Sequence, residues 1–171
     1  MERKGVVTFK GNKMTLAGTE VKAGDKAPDF RVIGKDLTEA ALKDFSGKVK
    51  LISVTPSLDT GVCDQQLRKF NEVASNLSED VVIINISMDL PFAIGRFCTS
   101  AGIDKALTYS DHRDASFGNA YGVLIKELRL LTRSIFVIGK DDRVEYEEVV
   151  PEITHEVDFE KALDAARRLL Q

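Results

Sequence analysis

The strongest constraint on the fold is a strand–helix–strand succession in the middle of the chain. Val49 to Val54 is a compact run rich in β-branched residues, ended by Pro56. Leu67, Phe70, Ala74 and Leu77 then recur at helical spacing, which predicts an amphipathic helix over roughly Val62 to Asn76. Val81 to Ile86 reads as a second buried strand. A crossover of this kind needs a sheet with both faces covered, so the rest of the chain is read for what supplies the cover.

Phe92 to Ala101, after Pro91, is helical in composition, Ala106 to Tyr109 fits a short strand and Ser116 to Tyr121 a short helix. Ser134 to Ile138 is a third strong strand, and the turn Gly139-Lys140-Asp141-Asp142 leads into Val144 to Val149. Asp158 is placed to cap a last helix whose Phe159, Ala162, Leu163, Ala166 and Leu170 share one face. At the start, Val7 and Phe9, then Met14 and Leu16, alternate around Lys10-Gly11-Asn12-Lys13, which predicts a β-hairpin with a two-residue Gly11-Asn12 loop. Gly24 to Pro28 reads as a turn-rich connection. The expectation is an α/β chain with a mixed central sheet, helices on both faces and an N-terminal hairpin extension over 1–20. With no repeat or linker it counts as one domain over 1–171.

Composition narrows the function. A balance of 24 basic against 27 acidic residues gives no electrostatic reason to expect nucleic acid or an anionic membrane as partner. No signal-peptide-length apolar stretch follows Met1, and the runs Val81–Ile84 and Ile135–Ile138 are far too short to span a bilayer, so the cytoplasm is the default expectation. Two cysteines cannot build a disulfide scaffold, and a zinc site of Cys and His would need both of them and both histidines. In a reducing compartment a pair of thiols points to chemistry more often than to stapling.

Cys63 lies between the first strand and the helix, in the first turn of a helix beginning near Thr60 or Gly61. Unpaired N–H groups and partial positive charge there favour a thiolate, which is the nucleophilic form. Thr60 can bring its hydroxyl beside the sulfur, Pro56 closes the loop from the strand side, and Asp59 is a second candidate cap. Free cysteine is also among the most buried residue types, so a small core residue is the competing reading for Cys63. For Cys98 on its own the core reading is the stronger one, beside Phe92, Ile94 or Phe97. Arg133, just ahead of four apolar residues, reads locally as a strand-end arginine whose head reaches water. Arg68 and Arg96 read as helix-surface residues, His112 and His155 as surface residues, and Glu145 to Glu148 as a solvated strand face.

The longer string changes those weights. Pro56-x-x-x-Thr60-x-x-Cys63 resembles the active-site motif of peroxiredoxins, and Pro56-Ser57-Leu58-Asp59-Thr60-Gly61-Val62-Cys63 is similar to the thiol peroxidase subfamily, of the atypical 2-Cys type. Gly24 to Phe30, Asp89-Leu90-Pro91-Phe92-Ala93, Arg96-Phe97-Cys98, Ala120-Tyr121-Gly122-Val123 and the N-terminal hairpin carry the resemblance along nearly the whole chain. It implies a thioredoxin-like fold and a thiol-dependent peroxidase. In that family Cys63 matches the peroxidatic cysteine, Cys98 the resolving cysteine that closes an intrachain disulfide, and Arg133 the arginine that stabilises the thiolate and orients the peroxide. Thr60, with N–H groups near Val62 and Cys63, would hold the peroxide. Thioredoxin is the implied reductant and a homodimer, touching beside the active-site loop, the implied assembly. No metal, haem or flavin is called for, because sulfur carries the electrons.

A disulfide needs Cα atoms within about 4.4–6.8 Å. Cysteines on two separate helices are therefore expected to meet only after local unwinding of both segments. Leu58, Val62 and Phe92 near the loop leave room for an organic hydroperoxide beside hydrogen peroxide. Two rival functions stay open: a one-cysteine peroxidase resolved by an external thiol, and a redox sensor or holdase that is oxidised once.

Overall fold

The computed structural model describes all 171 residues, Met1–Gln171. β1 (Glu2–Phe9), β2 (Asn12–Ala17), β3 (Arg31–Gly34), β4 (Glu39–Ala41) and a 3-10 turn (Leu42–Phe45) open the chain. β5 (Val49–Val54), α1 (Gly61–Ala74), β6 (Val81–Ser87), α2 (Pro91–Ala101) and β7 (Leu107–Ser110) follow as two successive crossovers. α3 (Ser116–Ala120), β8 (Leu124–Ile125), β9 (Leu130–Leu131), β10 (Ser134–Ile138), β11 (Val144–Val149) and α4 (Phe159–Arg168) complete it.

Seven strands build the central sheet in the order β11-β10-β5-β6-β7-β3-β4. β5, β6 and β7 run parallel, as helical crossovers require, while β10 joins β5 antiparallel and β11 joins β10 antiparallel. The sheet is therefore mixed, of the thioredoxin-like kind. Alternation along the strands divides the core in two. Leu51 and Ile135 face the α1, α2 and α4 side with Leu67, Phe70, Ile94 and Leu163; Ile52 and Phe136 face the α3 side with Phe30, Phe117 and Tyr121. Helices do cover both faces, three on one and a single short one, backed by loops, on the other.

Three details depart from the sequence reading. The hairpin turn is Lys10-Gly11 and not Gly11-Asn12: Phe9 pairs with Asn12, and both turn residues have positive φ, 49° and 80°. A type I′ turn needs positive φ at both central positions, and the glycine supplies the second one without strain. β3 and β4 were not expected, and β8 and β9 form with β2 a second, four-stranded sheet in the order β1-β2-β8-β9. Finally, the face of β11 is only partly solvated. Glu145 is exposed, but Glu147 and Glu148 are half-buried, and Glu148 accepts hydrogen bonds from the Asp158 N–H and the Tyr146 hydroxyl.

Candidate active site

α1 starts where the apolar face of its stripe meets the end of β5. Thr60 is the cap, its hydroxyl oxygen accepting from the Cys63 N–H at 3.3 Å while the hydroxyl itself lies 3.3 Å from the Ser57 carbonyl. Cys63 is thus the third residue of the helix, as its placement in the first turn implied. Asp59 is exposed and does not cap, and the Thr60 side chain is engaged by the backbone, not by sulfur. The loop before the helix is tied down from elsewhere: Asp89 accepts from the Ser57 hydroxyl at 2.7 Å, the Leu58 N–H at 2.8 Å and the Ser87 hydroxyl at 2.8 Å.

Cys63 has no exposed surface, and neither in practice has Arg133, at 2%. The arginine does not reach for water. Its Nη2 lies 3.2 Å from the Cys63 Sγ, its Nη1 donates to the Gln66 Oε1 at 2.9 Å, and its Nε donates to the Ile153 carbonyl at 2.8 Å. A guanidinium presents its donors in a rigid planar fork, so three fixed acceptors determine where its charge sits. That charge sits on the sulfur. Gln66 in turn donates to the Ser53 hydroxyl at 2.8 Å, and Ser53 lies 3.2 Å from Asn85, extending a buried polar chain across β5 and β6. No motif above contained Gln66. Its signal was the buried stripe Cys63, Gln66, Leu67, Phe70, where a polar residue stands on an otherwise apolar helix face.

Beside Arg133, whose guanidinium touches the buried sulfur, lies a cavity of about 200 Å³, lined by Phe9, Pro56, Thr60, Gly61, Val62, Arg133, Ile153 and Thr154 but not by Cys63 itself. Pro56, Thr60 and Arg133 thus line one cavity. Val62 belongs to the wall, but Leu58 is buried beneath the loop and Phe92, 73% exposed, stands outside it. Phe9 and Ile153 are the apolar walls instead.

Cys98 is elsewhere. It is 3% exposed, packed with Ile94 in the core on the α2 side, and its Sγ lies 3.4 Å from the Thr108 hydroxyl on β7. Both cysteines are free thiols, and the site brings Cys63, Thr60, Pro56 and Arg133 together but leaves Cys98 apart. Arg68 pairs with Asp64 and donates to the Ala101 carbonyl at 3.1 Å on the helix surface, and Arg96 is exposed. No group of three or more His, Cys, Asp or Glu side chains is arranged to hold a metal ion, and no helix is long and apolar enough to cross a membrane.

A helix-start thiol under a buried guanidinium, on a thioredoxin-like sheet, defines a cysteine-based redox protein. Comparison with known proteins says which kind. The redoxin family model matches residues 22–165. A thiol peroxidase of Halalkalibacterium halodurans is 58% identical over 164 residues, covering 96% of this chain and 98% of the relative. One from Bacillus subtilis is 55% identical over 165 residues, covering 96% and 98%. Among solved structures, a peroxiredoxin-like protein from Aquifex aeolicus superposes with a TM-score of 0.90 at 40% identity, covering 98% of this chain and 97% of that one. The chain belongs to the redoxin family and, within it, to the thiol peroxidases. It is a peroxiredoxin-type enzyme.

Proposed function

We propose that Cys63 is the peroxidatic nucleophile of a thioredoxin-recycled hydroperoxide reductase. The thiolate attacks the nearer oxygen of R–O–O–H, the O–O bond breaks, and the leaving oxygen departs as water or an alcohol after taking up a proton. Sulfur is oxidised to the sulfenic acid and the peroxide is reduced by two electrons. The Cys98 thiol then attacks the sulfenic sulfur, releasing water and closing an intrachain Cys63–Cys98 disulfide. A thioredoxin dithiol reduces that bond and is itself oxidised. Hydrogen peroxide and small organic hydroperoxides both fit a cavity of about 200 Å³ with apolar walls.

The observation that carries the reading is the Arg133 guanidinium 3.2 Å from the Cys63 Sγ at the edge of that cavity. A fixed cation there favours the thiolate and stabilises charge arriving on the leaving oxygen. Pro56, Thr60 and the N–H groups at the start of α1, near Val62, complete the peroxide cradle in this reading. The same reading takes the chain as one domain with the hairpin as an extension, working in the cytoplasm as a homodimer. Leu90 and Phe92, exposed beside the active-site loop, support a contact surface there.

Peroxide-dependent NADPH consumption with thioredoxin and its reductase, measured on wild type, Cys63→Ser and Cys98→Ser, tests this, with intact mass after one equivalent of peroxide. Wild type should turn over repeatedly and lose two hydrogens as an internal disulfide. Cys63→Ser should be inactive; a wild-type rate in that variant refutes the reading. The burial of Cys98 gives the one-cysteine alternative its support, and a wild-type product that stays at the sulfenic stage would establish it.

A further inference from the structure

The cavity beside Arg133 is closed on one side by parts of the chain far from the loop motif: Phe9 of the hairpin, and Ile153 and Thr154 after β11. One carboxylate ties them together. The Glu152 Oε1 accepts from the Gly11 N–H at 2.8 Å and from the Thr8 hydroxyl at 3.2 Å. Its Oε2 accepts from the Thr154 N–H and the Thr154 hydroxyl, both at 2.9 Å. Around it, the Thr8 N–H donates to the Pro151 carbonyl at 2.8 Å and the Ile153 N–H to the Thr8 carbonyl at 2.9 Å. The Ile153 carbonyl is the acceptor that holds the Arg133 Nε. A continuous path therefore runs from the hairpin turn through Glu152 and Ile153 to the guanidinium on Cys63.

We propose that Glu152 is a positioning residue for the peroxidase reaction. Its carboxylate locks the hairpin tip onto the 151–154 segment, making Phe9 a wall that contacts the organic part of a hydroperoxide and fixing the Ile153 carbonyl that aims Arg133. Both oxygens are needed, because one faces the hairpin and the other faces Thr154. The donors around the carboxyl, those of Thr154 and Gly11 first, hold it down at about 2, so the clamp is charged throughout the working pH range. The substrate part of this inference rests on the proposed peroxidase reading; the clamp itself does not.

Glu152→Gln keeps the shape and leaves one accepting oxygen, so one pair of donors must face an amide NH2. Three measurements on the full chain test the proposal. By NMR, the Arg133 Nε–H should exchange with solvent about tenfold faster in Glu152→Gln, the size expected from weakening one hydrogen-bonded link. In steady-state kinetics that variant should lose kcat/KM toward both cumene hydroperoxide and hydrogen peroxide. Phe9→Ala should lose about tenfold more toward cumene hydroperoxide than toward hydrogen peroxide, the difference appearing in KM, because only the former has an apolar body to bury. Unchanged Arg133 exchange and unchanged rates in Glu152→Gln, with only a lower melting temperature, would reduce Glu152 to a structural clasp and overturn the proposal. A Cys63→Ser control that kept full turnover would sink the peroxidase reading instead, with the Arg133 exchange still deciding the clamp.

Discussion

If Cys98 resolves Cys63 as proposed, formation of their disulfide should be gated by the opening of α2, and the core sets how often that happens. The partner of Cys63, Arg133, enters β10, and the partner of Cys98, Thr108, lies on β7. In the sheet order β10-β5-β6-β7 these anchors are three strand spacings apart, about 14 Å at ~4.8 Å each. Bonded cysteines need Cα atoms within about 6.8 Å, so one segment or both must leave its place. α2 is held down chiefly by Ile94, with Cys98 one turn further on the same face, beside buried Pro91 and the partly buried Phe97 and Ala101. Burying an isoleucine contributes about 1.5–3 kcal/mol, and with the cysteine the anchor amounts to roughly 4 kcal/mol, an open fraction on the order of one in a thousand.

Ile94→Val trims that anchor without removing it. Such a change in a packed core costs about 0.5–1.5 kcal/mol. All of it should appear in the opening equilibrium, since Ile94 touches neither sulfur's partner. Disulfide formation after one equivalent of peroxide, followed by rapid quench and mass, should speed up about 2- to 12-fold, because 1.4 kcal/mol is a factor of ten. Hydrogen exchange at the Cys98 amide should accelerate by the same factor, while the first oxidation of Cys63 keeps its rate. If exchange accelerates and disulfide formation does not, the opening of α2 is not the gate.

Other expectations follow from the same geometry. Arg133→Met should slow peroxide reduction by about 10²–10³-fold, the usual effect of deleting one preorganised donor to developing charge, read as the second-order rate of sulfenic acid formation. Cys63→Ala should lower stability toward urea by about 2 kcal/mol, since it removes one of the three acceptors of a buried guanidinium, and should cost clearly more than Cys98→Ala. Burial pushes the Asp111 carboxyl up to about 6 from 3.8, against the opposing hydrogen bonds from the Gly118 and Phe117 N–H groups. A raised carboxyl favours the folded state when protonated, so its contribution is full below pH 3.8 and is lost as pH rises through 6. Between pH 7.5 and 5, wild type should therefore gain about 1 kcal/mol in urea unfolding relative to Asp111→Asn; equal slopes in the two proteins would refute the assignment.

The elements that were legible in the sequence are those whose burial is written in their own residues. β5, β6 and β10 are runs of Val, Ile and Leu, and α1 and α4 carry apolar stripes at helical spacing, so pattern and packing agree. β3 and β4 were not legible, because Arg31-Val32-Ile33-Gly34 offers only two strand formers before a glycine and Glu39-Ala40-Ala41 offers none; pairing with β7 and with each other makes them strands. β8 and β9 are two residues each and exist only through pairing, β8 with β2 and β9 with β8. Lys50 shows the limit from the other side. It stands in the most buried strand, fully enclosed, with its ammonium 2.5 Å from Asp142 and 3.1 Å from the Gly139 carbonyl, a long-range arrangement that no local pattern announces. In the site, Thr60, Cys63 and Pro56 follow from a local motif, and Arg133 needed family resemblance, since its neighbours alone pointed to water. Gln66 and Glu152 act through partners distant in sequence, Arg133 and Gly11, and became visible only with the fold.

On the proposed mechanism, Arg133 also gives a reason for the site to open after it reacts. Its hydrogen-bond partners are a carbonyl, an amide oxygen and a sulfur, with no carboxylate among them. A buried cation is costly unless a compensating charge sits close by, and the Cys63 sulfur is the one partner of the three that can carry it. The reduced, closed site is thus held together by the same Arg133–Cys63 contact that the proposed reaction uses. Oxidation to a sulfenic acid puts an oxygen on a sulfur that has no exposed surface and is already in contact with Arg133, so the closed arrangement loses its fit. The first turn of α1, held by the single Thr60 cap and by the Asp89 links to Ser57 and Leu58, is then the weakest place for the strain to resolve. On this account the chemistry at Cys63 itself biases the loop toward the conformation in which Cys98 can reach it, and no separate trigger is required.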